Sequence, residues 1–249
     1  HLNWALSVYF VRRENLNMNI LVTPPEMHFD KGLGISAWRF RDAAKVLIDS
    51  GNSKDLLSPI GYLQRHALEL YLKSLIYILH KKYSIPFGGD FSLDNPAIFA
   101  NGKWRPMSNT HNLDDLYGYF KSIYDSNFEN LPKTTDWTLS DTLGKQIKLI
   151  SGYDPKSTYF RYPKAASASQ DQKKSTIQPM DIESAFKDVK SGVGKPIKCA
   201  VMLDANDNVV QSYNLVPDVL EDVRIALSEA MDYINNLHCA FLGELTKWS

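Results

Sequence analysis

The sequence has few cysteines, no net charge and no long apolar run. Cys199 and Cys239 are the two cysteines among 249 residues; this is too few for a disulfide framework and favours a reducing, cytoplasmic location. No uninterrupted apolar stretch approaches the roughly 20 residues of a membrane helix, so we expect no membrane partner. Hydrophobic residues make up 44% and charged residues 22% of the chain, which excludes a disordered, collagen-like or disulfide-scaffold protein.

Five stretches carry the apolar spacing of α-helices. They are predicted to begin near residues 33, 59, 112, 139 and 217, and the last is the longest. The second stretch is apolar around most of its girth, which is typical of an interior helix. Ser58 is predicted to be its N-cap, with Pro59 at its first helical position.

Two stretches lack this spacing. Residues 84–109 are rich in Gly and Pro and are predicted to form a loop or an irregular insertion. Residues 164–216 combine a flexible loop, a short helix over Asp181–Lys190 and a β-hairpin whose strands are residues 198–203 and 209–213. The predicted organisation is an N-terminal extension, a helical core in two pieces and an insertion between them: residues 1–32, residues 33–163 plus 217–249, and residues 164–216.

One narrow polar stripe runs along the surface of the second helix. It includes His66, Glu69 and Lys73, and the last two form a favourable i,i+4 pair. Because the other faces of this helix are apolar, the pair is either part of a buried structural network or faces a ligand. We hypothesise that these side chains converge with His111 and Arg161 in one polar groove.

Three motifs, in order, resemble one family. Residues 61–76 are similar to its Q-x-x-hydrophobic-E-x-x-L-K helix, residues 111–116 to its His-x-Leu element, and residues 160–163 to its Arg-Tyr-Pro turn. The family is the HEPN superfamily (higher eukaryotes and prokaryotes nucleotide-binding domains). The resemblance implies an all-α bundle of four to five helices, here with a small β-hairpin insertion before the last helix. It also implies a homodimer, for which the long last helix is a candidate interface.

The resemblance further implies a candidate catalytic pair. Many such domains are metal-independent ribonucleases, in which an Arg stabilises the phosphate and a His four to six residues later transfers a proton during attack by the ribose 2′-hydroxyl. Arg224 in the last helix has no His at this spacing, so the remaining candidates are Arg105 and His111.

A further set of residues is predicted to bind a ligand. Arg161 beside Tyr162 resembles the mixture of aromatic and cationic side chains that binds nucleotides; alternatively, this turn plugs the bundle with its aromatic rings. No metal-ligand spacing occurs, so we expect no metal and no cofactor. The predicted ligand-binding residues are His66, Glu69, Lys73, Arg161 and Tyr162.

Three functions remain open at this stage. In the first, which we adopt, the chain is a HEPN-like module without catalysis that binds RNA, a nucleotide or a protein partner of the antitoxin or nucleotidyltransferase type, in a prokaryotic defence or toxin–antitoxin context. In the second, it is an endoribonuclease that uses Arg105 and His111 or a pair assembled across a dimer. In the third, it is a helical protein-interaction scaffold.

Overall fold

The computed structural model of the chain describes residues 23–51, 55–164, 166–183, 187 and 198–248. Helices account for 55% of the structure. None of the helices within these ranges combines the length and the apolar character that crossing a bilayer requires. The helices are α1 (Leu33–Asp49), α2 (Leu57–Tyr83), α3 (Leu113–Ser126), α4 (Asp141–Tyr153), α5 (Ala168–Gln172) and α6 (Glu221–Phe241).

Helix α2 is the centre of the core, as its apolar sequence predicts. It packs against α1, α3 and α6, and its apolar side chains from Tyr71 to Leu79 are buried. The N-cap prediction is wrong, because α2 begins at Leu57 and its N-cap, Leu56, makes no side-chain cap. Pro59 is therefore the third residue of the helix. The first four backbone N–H groups of a helix have no intrahelical partner, so the missing N–H of Pro59 removes no hydrogen bond.

Three long helices, α1, α3 and α6, pack against α2. Helix α6 spans 21 residues, about 32 Å, and it packs against α2 and α4. Its far end enters an aromatic cluster in which Phe241 contacts Phe120, Tyr124 and Trp137. Beyond Phe241 the chain continues as a π-helical turn, Leu242–Thr246.

A first sheet occupies the stretch predicted to be a loop. Strands β1 (Ala97–Ala100) and β2 (Lys103–Pro106) form an antiparallel hairpin. Asn101 and Gly102 connect them with φ of 52° and 76°. Asn-Gly is the strongest short-range hairpin signal because both residues tolerate positive φ, so the sequence held a marker of this hairpin that the Gly and Pro content obscured.

A second sheet has three strands, in the order β3–β5–β4. Strands β4 (Cys199–Leu203) and β5 (Val209–Leu215) occupy the position of the predicted hairpin. Strand β3 (Ile177–Pro179) adds to β5 from a segment expected to be a flexible loop. The predicted helix Asp181–Lys190 lies outside the described residues, apart from residues 181–183 and 187.

The all-α fold class is therefore wrong. The described residues form five strands in two small antiparallel sheets beside the dominant helices, which makes an α/β mixture. The physical reason is that short strands are stabilised by pairing across a hairpin or a sheet edge, which helical periodicity does not reveal.

The last residues of the predicted N-terminal extension belong to the core. His28 and Asp30 are buried, and the Asp30 carboxylate accepts hydrogen bonds from Gly32, Gly34 and Ser74. The segment just before α1 is thus held against α1 and α2 by a buried carboxylate.

Candidate functional site

A buried ionic network lies on one side of α2. The Glu69 carboxylate accepts from the Nζ of Lys73 at 2.8 Å and from the guanidinium of Arg65 at 2.7 Å. These side chains are 0–7% exposed. Their i and i+4 spacing places all three on one face of the helix, so α2 by itself positions the charges.

Arg65 connects this network to two other segments. Its Nε lies 3.4 Å from the Asp154 carboxylate at the end of α4, and it also donates to the backbone carbonyl of His111. Asp154 in turn accepts from the backbone N–H groups of Thr158 and Tyr159. Two buried cations therefore face two buried carboxylates, and the network balances its own charge.

Glu69 is held as a carboxylate. Burial would raise its pKa, but the charge and hydrogen bond of Lys73, with contributions from Arg65 and His111, lower the pKa below its usual value. An ionised carboxylate can only accept hydrogen bonds. Every hydrogen-bond partner of the Glu69 carboxylate must therefore be the donor.

His111 carries this network to the surface. Its Nδ1 lies 2.9 Å from the Oε1 of Glu69, and its side chain is 46% exposed. Asn112 is the N-cap of α3 and accepts from the N–H groups of Asp114 and Asp115, which fixes the backbone beside His111. Because Nδ1 donates to Glu69, Nε2 is the nitrogen that remains for a ligand.

An open cleft of 500 Å³ is lined by His111. Arg105 lines it too, from β2, so the structure places both members of the predicted catalytic pair in one cleft. We call it the His111 cleft. It carries more basic than acidic groups, and its charged or titratable lining residues are Lys103, Arg105, His111, Asp115 and Lys156.

Arg105 has a weak partner in the cleft. Its guanidinium lies 3.5 Å from the carboxylate of Asp115, and its side chain is 35% exposed. Its Nε is buried and has no hydrogen-bond partner. Arg105 thus retains unused donors.

The other predicted ligand-binding residues form a row beside this network, close enough for the charges of Glu69 and Lys73 to act on the imidazole of His66. The Arg161 guanidinium lies 5.5 Å from the ring centroid of Tyr62, and Tyr62 stacks on His66 at 5.7 Å. Burial lowers the pKa of His66. Tyr162 is exposed, whereas Tyr159 and Phe160 are buried, and Phe160 packs directly on Gly61 of α2. The turn therefore plugs the bundle with two rings and turns two side chains outward.

A second buried network was missed from the sequence. The Oγ of Ser74 donates to Asp30, and the Nε2 of His238 lies 2.9 Å from the same Oγ. Burial would raise the pKa of Asp30, but the hydrogen bond and charge of His238, with the bonds from Ser74 and Gly34, lower it to about 2. These residues come from three distant parts of the chain, so their spacing carried no signal.

Within the part of the chain that the structure describes, no group of three or more His, Cys, Asp or Glu side chains could hold a metal ion. Comparison of the chain with models of protein families, with curated proteins and with solved structures gives no match. The HEPN relationship therefore stays a prediction from the three motifs.

Proposed function

We propose that the chain binds RNA in the His111 cleft. The observation that carries the proposal is the clustering of Lys103, Arg105 and Lys156 around an exposed imidazole, against the single carboxylate of Asp115. Cationic side chains bind nucleic acids mainly through the phosphates and release counterions on binding. The resemblance to HEPN domains supports the same class of ligand.

The salt dependence of binding tests this proposal. A short fluorescein-labelled single-stranded RNA is titrated with the protein at several salt concentrations, and its fluorescence anisotropy is followed. Each lost phosphate contact should reduce the slope of log K against log salt by about 0.7. We expect this reduction in Arg105→Gln and in Lys156→Gln.

Lys133→Gln is the matched control, because Lys133 is an exposed lysine paired with Glu129 away from the cleft. Its slope should equal that of the unmodified chain. Equal slopes in all four proteins, or no RNA binding at low salt, contradicts the proposal.

A second function, metal-independent RNA cleavage, is favoured by the hydrogen bond between Glu69 and His111. With Nδ1 donating to Glu69, a neutral His111 offers Nε2 as a base. It would take the proton of a ribose 2′-hydroxyl, whose oxygen then bonds to the adjacent phosphorus. The P–O5′ bond breaks, the leaving oxygen takes a proton, and the products are a 2′,3′-cyclic phosphate and a 5′-hydroxyl. Arg105 would stabilise the charge on the phosphoryl oxygens.

His111→Asn separates cleavage from binding. An Asn amide can still donate to Glu69 but cannot transfer a proton in this way. We expect RNA binding to persist and cleavage to be lost, while the control Lys133→Gln keeps both. A single 2′-deoxy substitution at the cut site should also block cleavage. Binding without cleavage by the unmodified chain would leave the non-catalytic module.

A homodimer remains part of the proposal. Ile225 of α6 is 50% exposed and lines a shallow groove with Ile48 of α1, so large apolar side chains lie at the surface of the predicted interface. Light scattering coupled to size exclusion measures the mass, and Ile225→Lys should shift a dimer toward monomer. A monomeric unmodified chain contradicts this part.

A further inference from the structure

A second cavity lies between α1 and the end of α6. Its volume is 340 Å³, which falls within the range of small-molecule pockets. We call it the Trp38 cavity. Its lining includes Ile35, Trp38, Arg41, Tyr71, Leu242 and Trp248.

The wall of the Trp38 cavity is built from unusual backbone. Helix α6 continues into the π-helical turn Leu242–Thr246. Lys247 and Trp248 then adopt positive φ of 52° and 60°, a region that bulky side chains rarely enter. The N–H of Trp248 donates to the carbonyl of Leu242 at 2.9 Å, which holds the indole at the cavity. Such π-turns and backbone outliers occur often at functional sites.

The Arg41 guanidinium offers hydrogens to the cavity, whereas the carboxylates of Asp30 and Asp42 offer lone pairs. Arg41 has five N–H donors, but its hydrogen bonds are two long ones, to Asp42 at 3.5 Å and to Asp232 at 3.2 Å. His238 offers no further hydrogen at Nε2, because the Ser74 hydroxyl donates to Asp30 and its oxygen therefore accepts the hydrogen of Nε2. A ligand that accepts a hydrogen bond would thus complete the bonding of Arg41.

The charges around the cavity do not favour an anion. The carboxylates of Asp30 and Asp42 line the cavity, and that of Asp232 forms an ion pair with Arg41. The positive charge of Arg41 is already matched by two of them. The aromatic and aliphatic lining favours a flat apolar body. The ligand that fits these features is flat and uncharged, and it carries one acceptor.

We propose that the Trp38 cavity binds a neutral planar heteroaromatic molecule whose ring nitrogen or carbonyl accepts a hydrogen bond from Arg41. This site has no lining residue in common with the His111 cleft and does not depend on RNA binding. Its ligand class is set by the indole and aliphatic walls, the incompletely bonded guanidinium and the surrounding carboxylates.

Quinoline and indole are matched probes for this proposal, because both are neutral fused rings and only quinoline has an acceptor nitrogen. The protein is labelled with 5-fluorotryptophan, and ¹⁹F resonances are assigned by Trp38→Phe and Trp248→Phe. Quinoline should shift the resonances of Trp38 and Trp248 but not that of Trp137, which lies in the aromatic cluster. It should bind about tenfold more tightly than indole.

Arg41→Gln should weaken quinoline binding about tenfold and leave indole binding unchanged. Arg39→Gln is the control, because Arg39 is an exposed arginine of the same helix outside the cavity. Circular dichroism confirms that each variant is folded. Three results would overturn the proposal: no shift of Trp38 or Trp248 with either probe, equal binding of both probes regardless of Arg41, or tighter binding of quinoline-4-carboxylate than of quinoline.

Discussion

The two buried polar networks of α2 differ in charge and in access to solvent. The Glu69 network sets two cations against two carboxylates and reaches the surface through His111. The Asp30 network has one carboxylate, one hydroxyl and one imidazole, all buried. The Glu69 network is thus a dense cluster of charges with one solvent-exposed member, whereas the Asp30 network is a small buried cluster that connects α1, α2 and α6.

The difference shows what each network can do. A buried ion pair gives little net stability, but removing one partner leaves a charge that no water can solvate. The Glu69 network is therefore costly to break and able to orient an exposed imidazole. The Asp30 network depends instead on close packing, because the Gly34 backbone lies against the His238 ring.

Breaking the Glu69 network should give the largest loss of stability. Glu69→Gln leaves Arg65 and Lys73 without their shared carboxylate, and the free energy of unfolding should fall by about 3–5 kcal/mol. Glu129→Gln breaks the same i,i+4 pairing on the surface, where Glu129 and Lys133 are 88% and 70% exposed, and should cost about 0.5 kcal/mol. Urea unfolding measures both, and equal losses contradict the interpretation.

Crowding the Asp30 network should give the next largest effect. In Gly34→Ala the new methyl group would overlap the His238 ring and lie 2.8 Å from Oδ2 of Asp30, so stability should fall by about 2–3 kcal/mol. Gly118→Ala places its methyl group in open space on α3 and should raise stability by up to about 1 kcal/mol. The pair is compared by thermal unfolding, and a neutral Gly34→Ala would show that the packing is loose.

Acid should act on the Asp30 network through its carboxyl group. The fold lowers the pKa of Asp30 from its ordinary value of 3.8 to about 2. A lowered folded pKa stabilises the fold above the unfolded pKa, and this contribution is lost as the pH falls toward 2. The stability gap between the unmodified chain and Asp30→Asn should therefore shrink by about 2 kcal/mol between about pH 6 and about pH 2. Parallel urea-unfolding profiles at the two pH values count against it.

Removing the contact between Arg161 and Tyr62, which belongs to neither network, should have the smallest effect on stability. Arg161 lies over the ring of Tyr62 at the surface, where such a contact contributes about 0.5–1 kcal/mol. A double-mutant cycle of Arg161→Gln and Tyr62→Leu should give a coupling energy of this size. A coupling above about 2 kcal/mol would place Arg161 among the structural residues of the core.

The sequence predicted what depends on local periodicity and missed what depends on distant contacts. The helical stripes, the interior character of α2 and the pair Glu69–Lys73 follow from the helical repeat, and Arg65 could have been added because it lies four residues before Glu69. The Asn101-Gly102 turn was also readable. By contrast, Asp30, Ser74 and His238 are separated by 44 and 164 residues, and each alone resembles an ordinary surface or core residue.

In the candidate site, too, contacts between residues close in the sequence were predictable and contacts between distant residues were not. Arg105 and His111 are six residues apart, and their shared cleft is consistent with that proximity. The link from His111 to Glu69 spans 42 residues, and the roles of Lys156 and Asp154 depend on how the end of α4 packs. Pairing of a three-residue strand such as β3 is decided by its partner rather than by its own residues.

Because Glu69 and Ser74 are only five residues apart on α2, the two networks share one stretch of backbone. A substitution that tilts or rotates this stretch moves the side chains of both networks, so the geometry of one cannot be changed through α2 without changing the other. An engineer who wishes to modify the His111 cleft without affecting the Trp38 cavity should therefore work from β2 and from the segment that follows α4, and leave α2 unchanged.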